Sequence, residues 1–385
     1  HGTFALHVVP AGIFYAEKRC VIGNGVVIDP AVLLGEIESL QSRGVSTTKL
    51  KVSDRAHVIM PWHPLIDRAD EALRGPLAIG TTGRGVGPAF TDKVGRSGIR
   101  MADLLDAVSF PERLRRVLAY KNTLLERLYG IPPLDFDTDP RQYREFGERL
   151  APFVTDTSVL VQEALDRGEE VLLEGAQGAL LDVDFGTYEY VTSSVPSSSA
   201  AGAALGVGIG PNEIRRVVGI YKAYNTRVGN GPMPTELLDE MGARLRNTGE
   251  RPEYGTTTGR PRRCGWFDAV AARYTARLNG VTSAVVTRLD VLDAFPTVQI
   301  CTAYQADGAE LRSFPASARV LARCTPVYEE HPGWQTPTSG VRRFADLPRA
   351  AQSFVRRIEE LLGAPVDLVS VGPERDQAIQ VRPIF

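Results

Sequence analysis

An open α/β fold, with a largely parallel central sheet, helices on its faces and long loops, is what the 385-residue sequence predicts. Three observations carry that expectation. Short apolar runs bounded by turn residues alternate with longer stretches of helical period, the pattern of strands joined by crossover helices. Several of the apolar runs lead directly into polar loops, where ligands bind in open sheets. No linker-like stretch divides the chain, since "SSVPSSSAAGAALGVGIGP" (193–211) is too apolar for a tether, so residues 1–385 read as a single domain.

Along the chain, Phe4–Val9 reads as an apolar strand, and "CVIGNGVVI" (20–28) as a buried strand interrupted by a glycine turn. Asp29 and Pro30 then supply an N-cap and first-turn signal. Leu33, Ile37 and Leu40 recur at helical spacing behind them. Further strands are expected in "EEVLLEG" (169–175), "RRVVGIYKAY" (215–224), "SAVVTRLDVL" (283–292) and "APVDLVSVGP" (364–373). Ala351, Phe354, Val355, Ile358 and Leu361 form one face of a long helix between the last two.

Composition narrows the function classes. Hydrophobic residues make up 43% and charged residues 23%, with a formal net charge of −2. Such a balance gives no global field for nucleic acid, so anion binding must come from local clusters. No apolar run approaches membrane-spanning length. Cys20, Cys264, Cys301 and Cys324 are too far apart for a zinc motif and suit free thiols in a reducing cytoplasm. Five scattered histidines offer no close ligand pair for a metal.

"IGTTGRGVGPAFTDKVGRSGIR" (79–100) combines glycines, hydroxyls and arginines suited to phosphate, although Walker A chemistry is absent. In "LLEGAQGALLDVDFGTYEYVTSS" (172–194) Gln177 could meet a base or carbonyl. Asp182 and Asp184 there are either a carboxylate pair or turn acids. "TRLDVLD" (287–293) holds an aspartate fit to accept from guanine donors, or simply to cap a helix. The densest cluster is "EYGTTTGRPRRCGW" (253–266). Its Arg260, Arg262 and Arg263 repel one another and require a counter-charge. That counter-charge is a small bound anion or an internal acid.

Taken together and in order, these motifs with "KAYNTRVGNGPMPTE" and "SVGPER" resemble the adenylosuccinate synthetase family from about Ala5 to the C-terminus. The resemblance implies a P-loop-NTPase-like sheet and a cytoplasmic ligase of AMP biosynthesis. GTP would phosphorylate the 6-oxygen of IMP, and L-aspartate would displace the phosphate, with Mg²⁺ as cofactor. It further implies that Thr82, Arg96, Gln177, Thr192, Val228 and Arg260 bind IMP, Arg96 being donated across a homodimer. Thr256, Thr257, Thr258, Gly259 and Arg260 would bind aspartate. Arg262, Arg288, Leu289, Asp290, Ser370, Val371, Gly372 and Pro373 would bind GTP. Family members commonly carry Lys where this chain has Arg288.

One departure is large. The family's glycine-rich GDEGKGK-type loop, with its catalytic Asp and a Mg²⁺ ligand, and its NAGHT-type histidine have no counterpart in this sequence. No catalytic or metal-ligating residue is therefore nominated. The opening "HGTFALHVVPAG", without Met, is expected to mark a fragment of a normal enzyme rather than a degenerate relative. The strand that the family's missing segment supplies would sit in the middle of the sheet, and a sheet lacking it is expected to expose apolar surface. Two rival functions remain: a non-catalytic purine-nucleotide-binding relative, and a ligase acting on a guanine-type nucleotide, as in some phage relatives.

Overall fold

The computed structural model describes residues 4–135, 139–194, 199–255 and 259–384. By internal packing the chain divides into two compact units, His1–Gly178 with Thr192–Glu213 and Ala179–Val191 with Ile214–Phe385.

In the first unit the "CVIGNGVVI" run forms two strands that join different sheets. Cys20–Ile22 pairs in parallel with Leu50–Ser53, which pairs with Val154–Thr155, while Val27–Ile28 pairs with His57–Val58. The break between them is dictated by a close approach. A Cβ on Gly23 would lie 2.1 Å from the Gly206 carbonyl oxygen, so only glycine fits. Asp29 caps the helix Pro30–Ser42 as expected, its carboxylate accepting from the N–H groups of Ala31 and Val32 at 3.0 and 3.2 Å. Leu33, Ile37 and Leu40 from that helix join Ile22, Ile28, Leu50, Val52 and Trp62 in one core.

Two strand expectations fail, for one physical reason. A strand needs a neighbouring ladder for its N–H and C=O groups. Phe4–Val9 instead bends, and the N–H groups of Val8 and Val9 donate to the Glu36 carboxylate at 3.1 and 3.0 Å. Residues 169–175 form no regular strand and have no ladder partner among the described residues, leaving Leu172 82% exposed.

The second unit carries the expected parallel sheet. Val218–Lys222, Ser283–Thr287 and Val366–Ser370 lie side by side in parallel, and Ala378–Gln380 closes one edge antiparallel. Val218–Lys222 is the opposite outer strand among the described residues, and Ile220 is 66% exposed. The helix Arg349–Leu362 packs Ala351, Phe354, Val355 and Ile358 into the core beside Val366 and Val369. The fifth buried position falls to Leu362 while Leu361 is only half-buried. An antiparallel sheet built on Thr297–Ala306, Ala309–Leu311 and Thr325–Pro332 is added to the parallel one.

Candidate active site

Three parallel strands of the second unit end at the same edge, because Thr287 stands opposite Lys222 and Val286 opposite Val369. The residues that leave this edge are Arg288, Asp290 and Ser370–Pro373. Arg288 turns the chain sharply, with φ at 62°, into the short 3-10 helix Leu289–Leu292. Burial pushes the Asp290 carboxyl up, with Arg288 opposing that shift. Asp290 is thus a partly desolvated acceptor with a strong demand for donors. The Ser370 hydroxyl donates to the Gly372 carbonyl at 2.8 Å, fixing the loop. A Cβ on Gly372 would fall 2.2 Å from the Gln377 amide oxygen. Leu289 and Val371 are buried core side chains, so they can offer a ligand only their main chain.

The arginine cluster resolves into two groups. Arg263 binds the Glu236 carboxylate and the Gly231 carbonyl, the latter at 2.7 Å. Arg227 caps the same loop through the Asn230 carbonyl at 2.8 Å. Together they hold the turn that presents the exposed Val228. Arg262 instead reaches the buried carboxylate of Glu253 at 2.6 Å. The main chain pairs here as well, since Arg262 N–H donates to the Glu253 carbonyl at 2.9 Å and Gly255 N–H to the Arg260 carbonyl at 2.8 Å. The segment is therefore a hairpin with Gly259, φ 64°, and the exposed Arg260 near its tip. Thr256, Thr257 and Thr258 lie outside the described residues.

In the first unit, Gln177 and Thr192 are brought together by a residue the sequence reading did not single out. Ser194 donates to the Gln177 amide oxygen at 3.1 Å, and its hydroxyl lies 2.9 Å from that of Thr192. Gln177 itself adopts the left-handed backbone, with φ at 60°. Asp182, in the second unit, accepts from the N–H groups of Asp184 and Phe185 at 2.9 and 3.0 Å, which makes it a turn acid.

The glycine-rich loop around Thr82 works differently from a phosphate cradle. Glu71 accepts from the N–H groups of Ile79, Gly80 and Thr81 at 3.0, 2.7 and 3.1 Å. Asp67 takes the Thr81 hydroxyl at 2.9 Å and the Gly85 N–H at 2.8 Å. These donors are occupied internally. The glycines serve conformation instead, with φ of 86° at Gly80, 67° at Gly83 and 82° at Gly85. Thr82 and Arg84 are left exposed on a loop tied to the helix Trp62–Arg74. Arg96, φ 62°, follows the helix Val86–Val94. It lines a surface depression of about 320 Å³ with Arg113, Arg116 and Tyr120.

Among the described residues no group of three or more His, Cys, Asp or Glu side chains is placed to hold a metal ion. The four cysteines are buried and unpaired. No helix of the described chain is long and apolar enough to cross a membrane.

A carboxylate and arginines gathered at the carboxyl edge of a parallel sheet mark the ligand-binding edge of an open α/β protein. The chain belongs to the adenylosuccinate synthetase family, whose family model matches residues 1–379. It is 52% identical over 383 residues to the adenylosuccinate synthetase of Carboxydothermus hydrogenoformans, covering 100% of this chain and 89% of that protein. To the enzyme of Thermomicrobium roseum it is 55% identical over 380 residues, or 98% of this chain and 87% of the relative. The fully ligated adenylosuccinate synthetase of Plasmodium falciparum superposes with a TM-score of 0.90 at 35% identity, covering 98% of this chain and 88% of that one. A cyanophage S-2L succinoaminodeoxyadenylate synthetase, bound to dGMP and dATP, superposes at TM-score 0.58 with 23% identity over 99% of this chain and 82% of its own. That second likeness concerns the fold alone.

Ser194, Glu253, Asp67 and Glu71 are the site residues that sequence reading missed. Only Glu253 left a signal, because crowded arginines in its own segment demand an acid.

Proposed function

We propose that this chain performs the GTP-dependent ligation of L-aspartate to IMP, yielding adenylosuccinate, GDP and phosphate, in AMP biosynthesis. The observation that carries the reading is the pairing of Arg262 and Arg288 on one carboxylate, Glu253, with Asp290, a carboxylate suited to guanine, beside Arg288 at the sheet edge. The N1 proton of IMP is lost to a base as its 6-oxygen attacks the γ-phosphorus of GTP, and GDP leaves. The aspartate amine then adds at C6, the phosphate departs and the amine loses its proton. Activation is needed because an oxo group departs poorly and a phosphoryl ester departs readily. Such chemistry asks the protein mainly for positioned cations.

Within this reading Asp290 accepts from the guanine, with Ser370, Gly372, Pro373 and the main chains of Leu289 and Val371 completing the base pocket. Arg288 lies beside the base and Arg262 faces the phosphates. Thr82, Gln177, Thr192 and Val228 bind IMP, and Thr256 to Arg260 hold the aspartate carboxylates. Arg96 reaches the IMP site of a second copy in a homodimer, a role its exposure beside Arg113 and Arg116 supports. Mg²⁺ accompanies GTP. The described side chains assemble no cluster of three or more His, Cys, Asp or Glu for it. The cytoplasm is the proposed location, supported by four unpaired cysteines.

Phosphate release tests the function. With the full chain, release is expected only when IMP, GTP and aspartate are all present. Binding of GTP and IMP without release would instead identify a non-catalytic relative, and preference for dGMP over IMP would identify a guanine-type ligase.

A further inference from the structure

Three cations converge on one carboxylate in the second unit. Glu253 is 0% exposed, whereas the side chains of Lys222, Arg262 and Arg288 retain 27%, 28% and 24% exposure. Its Oε1 accepts from Lys222 Nζ at 2.8 Å and from the Tyr224 hydroxyl at 2.7 Å. Arg288 Nε is 3.3 Å from the same oxygen, close enough for an ion pair though not aligned as a hydrogen bond. Oε2 accepts from Arg262 Nη1 at 2.6 Å. The surrounding backbone is knitted to the same point. Glu253 N–H donates to the Arg246 carbonyl at 2.8 Å, Arg246 Nε to the Arg262 carbonyl at 2.8 Å, and Arg288 Nη2 to the Arg251 carbonyl at 2.7 Å.

We propose that Glu253 is the positioning residue of the GTP site, its buried carboxylate fixing Arg262 at the phosphate end and Arg288 at the base end as one rigid pair. The inference rests on the GTP reading given above. Three cations facing one anion leave an excess of two positive charges. That excess faces outward, because the carboxylate is inside and the cations are partly exposed. Like charges this close repel strongly in a desolvated setting. Without the carboxylate, Lys222, Arg262 and Arg288 would move apart and the two ends of the nucleotide would lose their common frame. Burial alone would raise the Glu253 carboxyl. The hydrogen bonds from Lys222 and Tyr224, with Arg262, outweigh it and hold the group at about 2. It is therefore an anion throughout the neutral range.

Glu253→Gln keeps the shape but removes the charge and turns one acceptor into a donor facing other donors. Tyr224→Phe removes a single hydrogen bond from the same oxygen and touches no substrate. The full chain and both variants are to be titrated with a fluorescent GTP analogue and, separately, with IMP. The expected result for Glu253→Gln is a tenfold or greater rise in the GTP Kd, a reduced preference for GTP over ATP, and IMP affinity within twofold. For Tyr224→Phe a roughly threefold rise in the GTP Kd is expected, and this carries the test should Glu253→Gln fail to fold. A merely structural lesion would weaken both nucleotides together, and that outcome overturns the proposal. Unchanged GTP affinity in the folded variants overturns it alone. No GTP binding by the unaltered chain overturns the GTP reading and the inference with it.

Discussion

Ser194 donates its hydroxyl proton to the Gln177 amide oxygen across 3.1 Å, and Thr192 lies 2.9 Å from the same hydroxyl. One small side chain thus locks two residues that are fifteen positions apart in sequence. Gln177 then has its oxygen occupied and its amide N–H₂ group directed by that contact. In the proposed reaction this fixes which face of the amide meets the purine.

Ser194→Ala should therefore raise the KM for IMP about five- to tenfold, the cost of one neutral hydrogen bond of about 1 kcal/mol. The KM for GTP should stay within twofold. Steady-state kinetics with each substrate varied would settle it, and an unmoved IMP KM would show that the contact is idle.

Glu71 grips three successive N–H groups of the Thr82 loop. Glu71→Ala leaves those donors without their acceptor, a loss of about 1–3 kcal/mol in local stability. Arg84 is exposed on that loop, so trypsin should cut there several-fold faster in the variant. IMP should restore part of the protection. Equal cleavage rates would contradict the anchoring role.

For the hairpin tip, Arg260→Leu should raise the aspartate KM at least tenfold while leaving GTP affinity within twofold, since charge-assisted hydrogen bonds are worth about 1.5–3 kcal/mol. Asp290→Asn should lower the preference for GTP over ATP by about two orders of magnitude. Competition assays with the two nucleotides would read it, and a retained preference would remove Asp290 from base recognition.

Two buried groups set opposing pH dependences. Burial pushes Asp268 up to about 6 from 3.8, despite hydrogen bonds from the Ala271 N–H and the Tyr304 hydroxyl. The folded state then holds more protons than the unfolded state between those values, so stability falls as pH rises through about 4 to 6. Burial, with Lys93 and Arg100 nearby, lowers His57 to about 4 from 6.5. Here the unfolded state holds more protons, so stability falls as pH drops from 6.5 through 4. Each contribution is about 3 kcal/mol. Thermal melts from pH 3.5 to 8 should show Asp268→Asn removing the first slope and His57→Gln the second. Parallel curves for the variants and the parent would refute both assignments.

Much of the architecture was legible in sequence because it rests on local pattern. Ser283–Thr287 is an apolar run followed at once by Arg288, and Val366–Ser370 is one that leads into the turn residues Gly372 and Pro373. The Asp29–Pro30 cap starts its helix from two residues alone. The glycines of the Thr82 loop were legible as necessary, though their reason was not. They answer to left-handed backbone angles, and the N–H groups of Gly80 and Gly85 belong to Glu71 and Asp67 on another element.

What the sequence determined by itself was the apolar runs from which strands could form, the Asp29 helix cap and the ordered motifs that carry the family resemblance. All of these depend on neighbours in the chain. Tertiary structure decided whether an apolar run finds a ladder, and 169–175 finds none among the described residues. It also decided which acid answers which cation. Glu253 stands nine residues before Arg262 and thirty-five before Arg288, and only folding brings one carboxylate against both. Pairing of backbone ladders and of buried charges is a matter of distance in space, which residue spacing along a chain does not encode.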